Sequence, residues 1–223
     1  MSSAGANNSA QERTINAAYG RASGTAGDIV LLRQSWQDWA VLGAKLAEDE
    51  WARPTRLTGW DVRTLYAHVA RSAGVLAGVL REPSHAEPER RSAAAYFASF
   101  RAVREEAARS VDAAARQAAA AEPARIVGWL AEDGPRVLAE AEAAGAVTIT
   151  TLAGTIALPD YLLTRLVEAT VHLLDLRDAV PGPGPDPAAV DRVADVLVGI
   201  AGPVAFVEAA TGRADLPGFP LLA

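Results

Sequence analysis

The chain contains three histidines, His68, His85 and His172, and no cysteine. Without cysteine there is no disulfide scaffold, no thiolate-ligated zinc or iron–sulfur centre and no intrinsic thiol nucleophile. Any metal must be held by imidazole and carboxylate. Glu168 and His172 stand four residues apart, so on a helix both project from one face and can grip one ion together. Leu162, Leu163, Leu166, Val167, Val171, Leu173 and Leu174 surround them, and a carboxylate among such residues needs a partner to offset its desolvation. His68 would add a third ligand from another helix and leave one tetrahedral position open, as in catalytic rather than closed structural sites. The same spacings also suit blander roles: Glu168 and His172 as a surface pair, His68 as a hydrogen-bonded core residue. His85 lies in a polar, proline-containing loop and is assigned to solvent.

Other residues gain interest from their place around these three. Asp175 follows His172 by one turn and could orient it as an acceptor behind the ligand, or be solvated. Arg71 follows His68 by three residues and Arg165 precedes Glu168 by three; either could hold a carboxylate of a bound molecule, or simply face solvent. The five tryptophans suit helix packing, with Trp60, at the start of the helix that carries His68, the best candidate to contact a ligand.

The elements that must position these residues read as helices. Ile29, Leu32, Trp36, Trp39, Leu42 and Leu46 recur at three- and four-residue steps, giving a first helix from Asp28, placed to cap, to near Trp51. Thr58 and Asp61 have capping-box spacing for a second helix, from about Asp61 to Leu80, with Val62, Leu65, Val69, Leu76 and Val79 as its buried stripe. An alanine-rich third helix spans roughly Ser92 to Ala121. A fourth begins at Pro123 and ends near Gly145, with a bend expected at Gly134-Pro135. Val147 to Leu158 is the one strand-like stretch, a short hairpin or extended crossover. Pro159 opens the helix of Glu168 and His172, which stops near Val180; Asp186 and Pro187 start a last helix, interrupted at Gly202-Pro203. The pattern is an up-down helical bundle with a crossover.

Of 223 residues, 50% are hydrophobic and 22% charged, which suits one large globular domain, placed at residues 28–223. Residues 1–27 are rich in Ser, Asn, Ala and Gly and read as a flexible arm. The formal charge of −6 argues against nucleic acid or an anionic membrane as partner. With neither signal peptide nor apolar span in view, a soluble cytoplasmic protein acting on a small molecule is expected. The apolar stripes do not say which are buried within one chain, so a homodimer stays open.

Two stretches resemble a known family. Trp51-x-x-Pro54-Thr55-x-Leu57-x-Gly59-Trp60-Asp61-Val62-Arg63-x-Leu65-x-x-His68 is followed far downstream by Glu168-x-x-x-His172-x-x-Asp175-Leu176. Together they resemble the mycothiol-dependent maleylpyruvate isomerase family, a branch of the DinB-like helical bundles, over approximately Asp28 to Arg213. The resemblance implies an all-α fold: a DinB-like up-down four-helix bundle core with a crossover connection, extra helices and at most one short β-hairpin. It implies a divalent metal, generally zinc, on His68, Glu168 and His172. Thr211-Gly212-Arg213 is also similar to the family, and adds Arg213 to the candidate binding residues. The implied activity is that of a metal-dependent thiol transferase or isomerase acting on a small electrophilic metabolite, with mycothiol as cosubstrate. Lacking cysteine, the chain would receive its sulfur from that cofactor. The isomerase that names the family carries a further C-terminal domain, for which about fifty residues after His172 are too few, so a reaction other than maleylpyruvate isomerisation is expected. The ligands alone suit equally a thiol-independent isomerase, cyclase or hydrolase, or a non-catalytic binding bundle.

Overall fold

The structure is a computed structural model, and it describes residues 25–100 and 104–215. Nearly all of the arm expected at residues 1–27 lies outside the described residues. Ten α-helices and one hairpin are seen among them: α1 (Thr25–Gly43), α2 (Val62–Ala70), α3 (Ser72–Val79), α4 (Ala93–Ser99), α5 (Arg104–Ala119), α6 (Pro123–Gly128), α7 (Gly134–Ala144), β1 (Thr148–Thr151), β2 (Gly154–Ala157), α8 (Leu158–Ala179), α9 (Pro187–Ala201) and α10 (Pro203–Ala210).

Four helical rods make the core: α1, the near-continuous α2–α3, the segment α6–α7, and α8. Side-chain contacts fix their directions. Trp39 Nε1 donates to the Ala169 carbonyl at 3.0 Å and Arg192 clasps Asp28 beside Asp160, so α1 and α8 run parallel. Arg56 meets Asp175 while His68 meets Glu168, so α2 runs antiparallel to α8. Arg33 reaches Glu142 while Gly134 abuts Trp36, which sets α7 antiparallel to α1. The order is up, down, down, up. Two successive rods that point the same way require a long return, and residues 80–122, carrying α4 and α5, provide it. The expected bundle with a crossover is therefore what folds. Leu32, Trp36, Trp39, Leu65, Tyr66, Leu76, Ile126, Leu130 and Leu138 fill its centre. Trp39 and Trp51 both pack edge-on against Tyr66 with ring centroids 5.2 Å away.

Several boundaries differ from the pattern reading. The first helix stops at Gly43, a position that faces the Tyr66 ring, where a Cβ would lie 2.6 Å from ring carbons. A short 3-10 helix, Glu48–Ala52, then carries Trp51 inward. Asp28 lies within α1 and is buried in a two-point contact with Arg192 at 2.7 and 3.0 Å, so it ties α9 to α1. Thr58 does not cap the second helix; Asp61 does, accepting from the Thr64 amide at 2.8 Å. Gly59, at φ 79°, and the turn joining Thr55 to Trp60 keep the chain irregular up to that residue.

The alanine-rich stretch forms α4 and α5, with residues 101–103 between them outside the described set. The bend expected at Gly134-Pro135 is taken up just before it, by a π-helical turn at Trp129–Asp133. Pro135 has no amide hydrogen to give, and widening the preceding turn relieves the clash of its ring. The hairpin pairs Thr148 with Ala157 through Thr151 with Gly154, and Gly154 takes φ 98° as the chain reverses. Gly202, at φ 86°, turns α10 away from α9 by 103°. No single helix among the described residues is long and apolar enough to cross a membrane.

Candidate metal centre

The crossing of α2 and α8 brings His68 against Glu168, 100 residues downstream. Leu65 and Val69 anchor one side of α2 in the core, and Leu166, Val167 and Leu173 anchor α8; the polar triad lies where these stripes meet. His68 Nε2 is 3.0 Å from Glu168 Oε2, and His172 Nε2 is 3.5 Å from the same oxygen. Ligand atoms of all three residues lie within 4.8 Å of one another. Two atoms each about 2.1 Å from one ion stand about 3.0 Å apart at a right angle and about 3.4 Å apart at the tetrahedral angle. The two contacts to Glu168 thus have the spacing of ligands around a cation.

The same contacts set the charges of the triad. Burial opposes charge on Glu168, but hydrogen bonds from His172 and His68, with the charge of Arg165, outweigh it and hold the carboxyl well below its ordinary range. Burial likewise opposes charge on His172, yet its contacts with Asp175 and Glu168 raise it to about 9. Burial dominates at His68 and lowers its pKa. A carboxylate can only accept, so His172 Nδ1–H donates to Asp175 Oδ2 at 2.8 Å and leaves Nε2 directed at the triad. Arg56 in turn donates to Asp175 Oδ1 through Nε at 2.6 Å. His68 Nδ1 is buried with no partner among the described residues. Two imidazole nitrogens and one carboxylate oxygen make a donor set suited to a divalent ion. Glu168 and His172 keep 24% and 18% of their side chains exposed, so the triad is approached from one side rather than sealed.

Trp60 covers the imidazoles, its ring centroid 5.2 Å from that of His68 and 6.4 Å from that of His172. Its Nε1 donates to Asp112 Oδ1 at 2.8 Å, and Arg116, bound to both Asp112 and the Gly59 carbonyl, fastens this loop to α5. The alanine-rich helix thereby acquires a task that propensity did not show. At the opposite end of the triad, Arg165 lies with its Cζ 4.9 Å from the Tyr161 ring centroid, half-buried like Arg71.

Of the residues singled out in sequence, the structure gathers His68, Glu168, His172, Asp175 and Trp60 into one cluster, with Arg165 beside it. Arg213 is not brought in: it is exposed beyond α10, its guanidinium on the Thr211 carbonyl at 3.3 Å, because α10 packs on α9 and buries none of its own residues. His85 is exposed in the loop before α4. Sequence reasoning missed Arg56 and Asp112. Arg56 lies within the quoted motif, but nothing in its spacing connects it with Asp175; the link exists only once α2 and α8 are antiparallel.

The mycothiol maleylpyruvate isomerase N-terminal domain family model matches residues 32–177, a span that contains the triad, Asp175 and Trp60. A solved structure, the crystal structure of the mycothiol-dependent maleylpyruvate isomerase, superimposes with a TM-score of 0.53 at 16% identity, over 86% of this chain and 73% of that one; at this identity the likeness is one of fold. No curated protein matches the chain. A family model matching most of the chain, over the stretch that builds the triad, settles the relationship: this chain belongs to the mycothiol maleylpyruvate isomerase N-terminal domain family, a family named for an enzyme.

Proposed function

We propose that the protein is a metal-dependent enzyme that joins a mycothiol-type thiol to a small electrophilic metabolite, or isomerises that metabolite with the thiol's help. His68, Glu168 and His172 would hold the metal, with zinc the expected ion. The observation that carries this reading is the convergence of two imidazole nitrogens on one carboxylate oxygen, at 3.0 and 3.5 Å, on an open side of the bundle. A divalent ion bound there supplies Lewis acidity, which favours the thiolate form of a thiol or polarises a substrate oxygen.

The chain's own groups do the positioning. Asp175 takes the Nδ1 proton of His172 in a hydrogen bond and keeps Nε2 free to ligate, and Arg56 holds Asp175 in place. Glu168 contributes the anionic donor. Trp60 shields one face of both imidazoles and limits water on that side. With no cysteine in the chain, the sulfur must come from the cosubstrate.

Metal analysis of untagged protein and of His172→Ala tests the first half: wild type should retain stoichiometric metal and the variant should lose it. Equal and negligible metal in both would refute the centre. Incubating metal-loaded protein with mycothiol and an electrophile such as an epoxide, followed by mass spectrometry, tests the second half. A conjugate is expected. Retained metal with no conjugate would exclude the thiol reading and leave thiol-independent metal chemistry.

A further inference from the structure

α10 departs from the burial pattern of the other helices. None of its eight residues is buried; Val204, Phe206 and Val207 are 73%, 36% and 59% exposed, and Glu208 is its one charged residue. The departure begins before the bend: from Val196 to Val207 there is no polar side chain, and Val196 alone in that stretch is buried. Single apolar side chains sit in water at little cost, but a contiguous patch marks a surface that something covers.

Size narrows the choice of occupant. An eight-residue helix is about 12 Å long and about 10 Å across with its side chains, so its outer face projects about 120 Å². A specific dimer buries about 800 Å² on each partner. Even with the relief of the side chains, the face of α10 falls well short of that, and it is the right size for a short extended segment.

The chain itself supplies such a segment. α10 ends in a left-handed turn at Gly212, φ 71°, where the Gly212 amide donates to the Ala209 carbonyl at 3.0 Å and the Arg213 amide to the Glu208 carbonyl at 2.8 Å. The Ala214 amide also reaches the Glu208 carbonyl at 3.4 Å, so the chain turns back beside the last turn of the helix instead of running on past it. Residues 216–223 lie outside the described residues; in sequence they carry Leu216, Phe219, Leu221 and Leu222, two prolines and no charge. Such a stretch reaches at most about 26–29 Å when extended, more than enough to span α10. Pro217 and Pro220 have no amide hydrogen to leave unpaired on an apolar surface.

We propose that the exposed face of α10 bearing Val204 and Val207 is the docking surface for residues 216–223 of the same chain, laid antiparallel along the helix. Neither the metal centre nor the proposed function enters into this docking.

Because the chain has no cysteine, a pair introduced on the two surfaces reports only their own contact. Val207→Cys with Phe219→Cys, oxidised in the full chain, should close an intramolecular disulfide, identified by mass spectrometry after proteolysis. A tether this short brings two thiols together even without docking, so the rate is compared with that of the same pair in a chain also carrying Leu221→Asp and Leu222→Asp. Docking through apolar contact predicts closure about ten-fold slower, or slower still, in the charged chain. Circular dichroism, unchanged across the set, shows that these substitutions leave the bundle folded. Equal rates with and without the aspartates would overturn the docking, since the tether alone would then account for the disulfide; so would failure of the uncharged pair to close. A disulfide formed chiefly between two chains, and faster at higher protein concentration, would overturn it as well and assign the face to a second copy.

Discussion

Replacing Asp175 by Asn keeps the size of a buried side chain while removing its charge and one of its two acceptor oxygens. Asp175 receives His172 Nδ1–H on Oδ2 at 2.8 Å and Arg56 on Oδ1 at 2.6 Å. An asparagine must present its amide NH2 to one of these donors. Turned toward Arg56, it sets donor against donor and frees the arginine, whose side chain is already half exposed. Turned toward His172, it forces Nδ1 to accept and moves the ring proton to Nε2, where it blocks the nitrogen that faces Glu168. Both outcomes weaken a ligand without removing it. Loss of such an outer partner reduces metal affinity about 10- to 100-fold, or about 1.4–2.8 kcal/mol. Competition against a chromophoric zinc chelator measures this directly, with circular dichroism to show that the bundle is intact. Arg56→Met should produce a smaller loss, and because Arg56 acts only through Asp175, the double variant should fall little below Asp175→Asn alone. Wild-type zinc affinity in a folded Asp175→Asn protein would refute the view that Asp175 directs His172.

Other consequences follow from single contacts. Trp60→Phe keeps a ring over the imidazoles but drops the bond to Asp112, so metal content should hold while protease cutting of the 53–61 loop increases; unchanged cutting would show that Asp112 does not fasten it. Gly43→Ala drives a methyl into the Tyr66 ring and threatens the hydroxyl's 2.7 Å bond to the Trp39 carbonyl, so a loss of about 1–3 kcal/mol in urea unfolding is expected. A neutral outcome there would mean that α1 can slide relative to α2. Leu152, 99% exposed at the hairpin tip, should accept Ser within about 0.5 kcal/mol; a larger loss would reveal a contact made in solution.

What sequence made legible was the periodic part of the molecule. Apolar spacing located α1 and the α2–α3 rod, proline starts located the α6–α7 rod and α8, and the β-branched run between Val147 and Leu158 became the one hairpin among the described residues. Boundaries were less legible: α1 ends at Gly43, which packs against Tyr66 of another rod where a Cβ would not fit, and no local signal reports such a contact. Asp28 and Asp61 show the same division. Both carry a capping residue's chemistry, but Asp61 caps because Gly59 keeps the preceding turn irregular, whereas Asp28 is drawn into an ion pair 164 residues away.

The triad was readable for a different reason. Glu168 and His172 are neighbours by helical geometry, so their pairing needs only α8 to form; His68 joins them only if the second rod crosses α8 at one height and in one direction. That geometry follows from the up, down, down, up order, which returns α8 alongside α1 and against α2. It also divides the surroundings of the triad. Toward the C-terminal end of α8, Asp175, Arg56 and Trp60 orient and cover the imidazoles; toward its N-terminal end, Arg165 lies over the Tyr161 ring and its charge helps to keep Glu168 ionised. An ionised Glu168 between two imidazoles is the donor a divalent ion needs, so the crossing that packs the two rods also prepares the donor set.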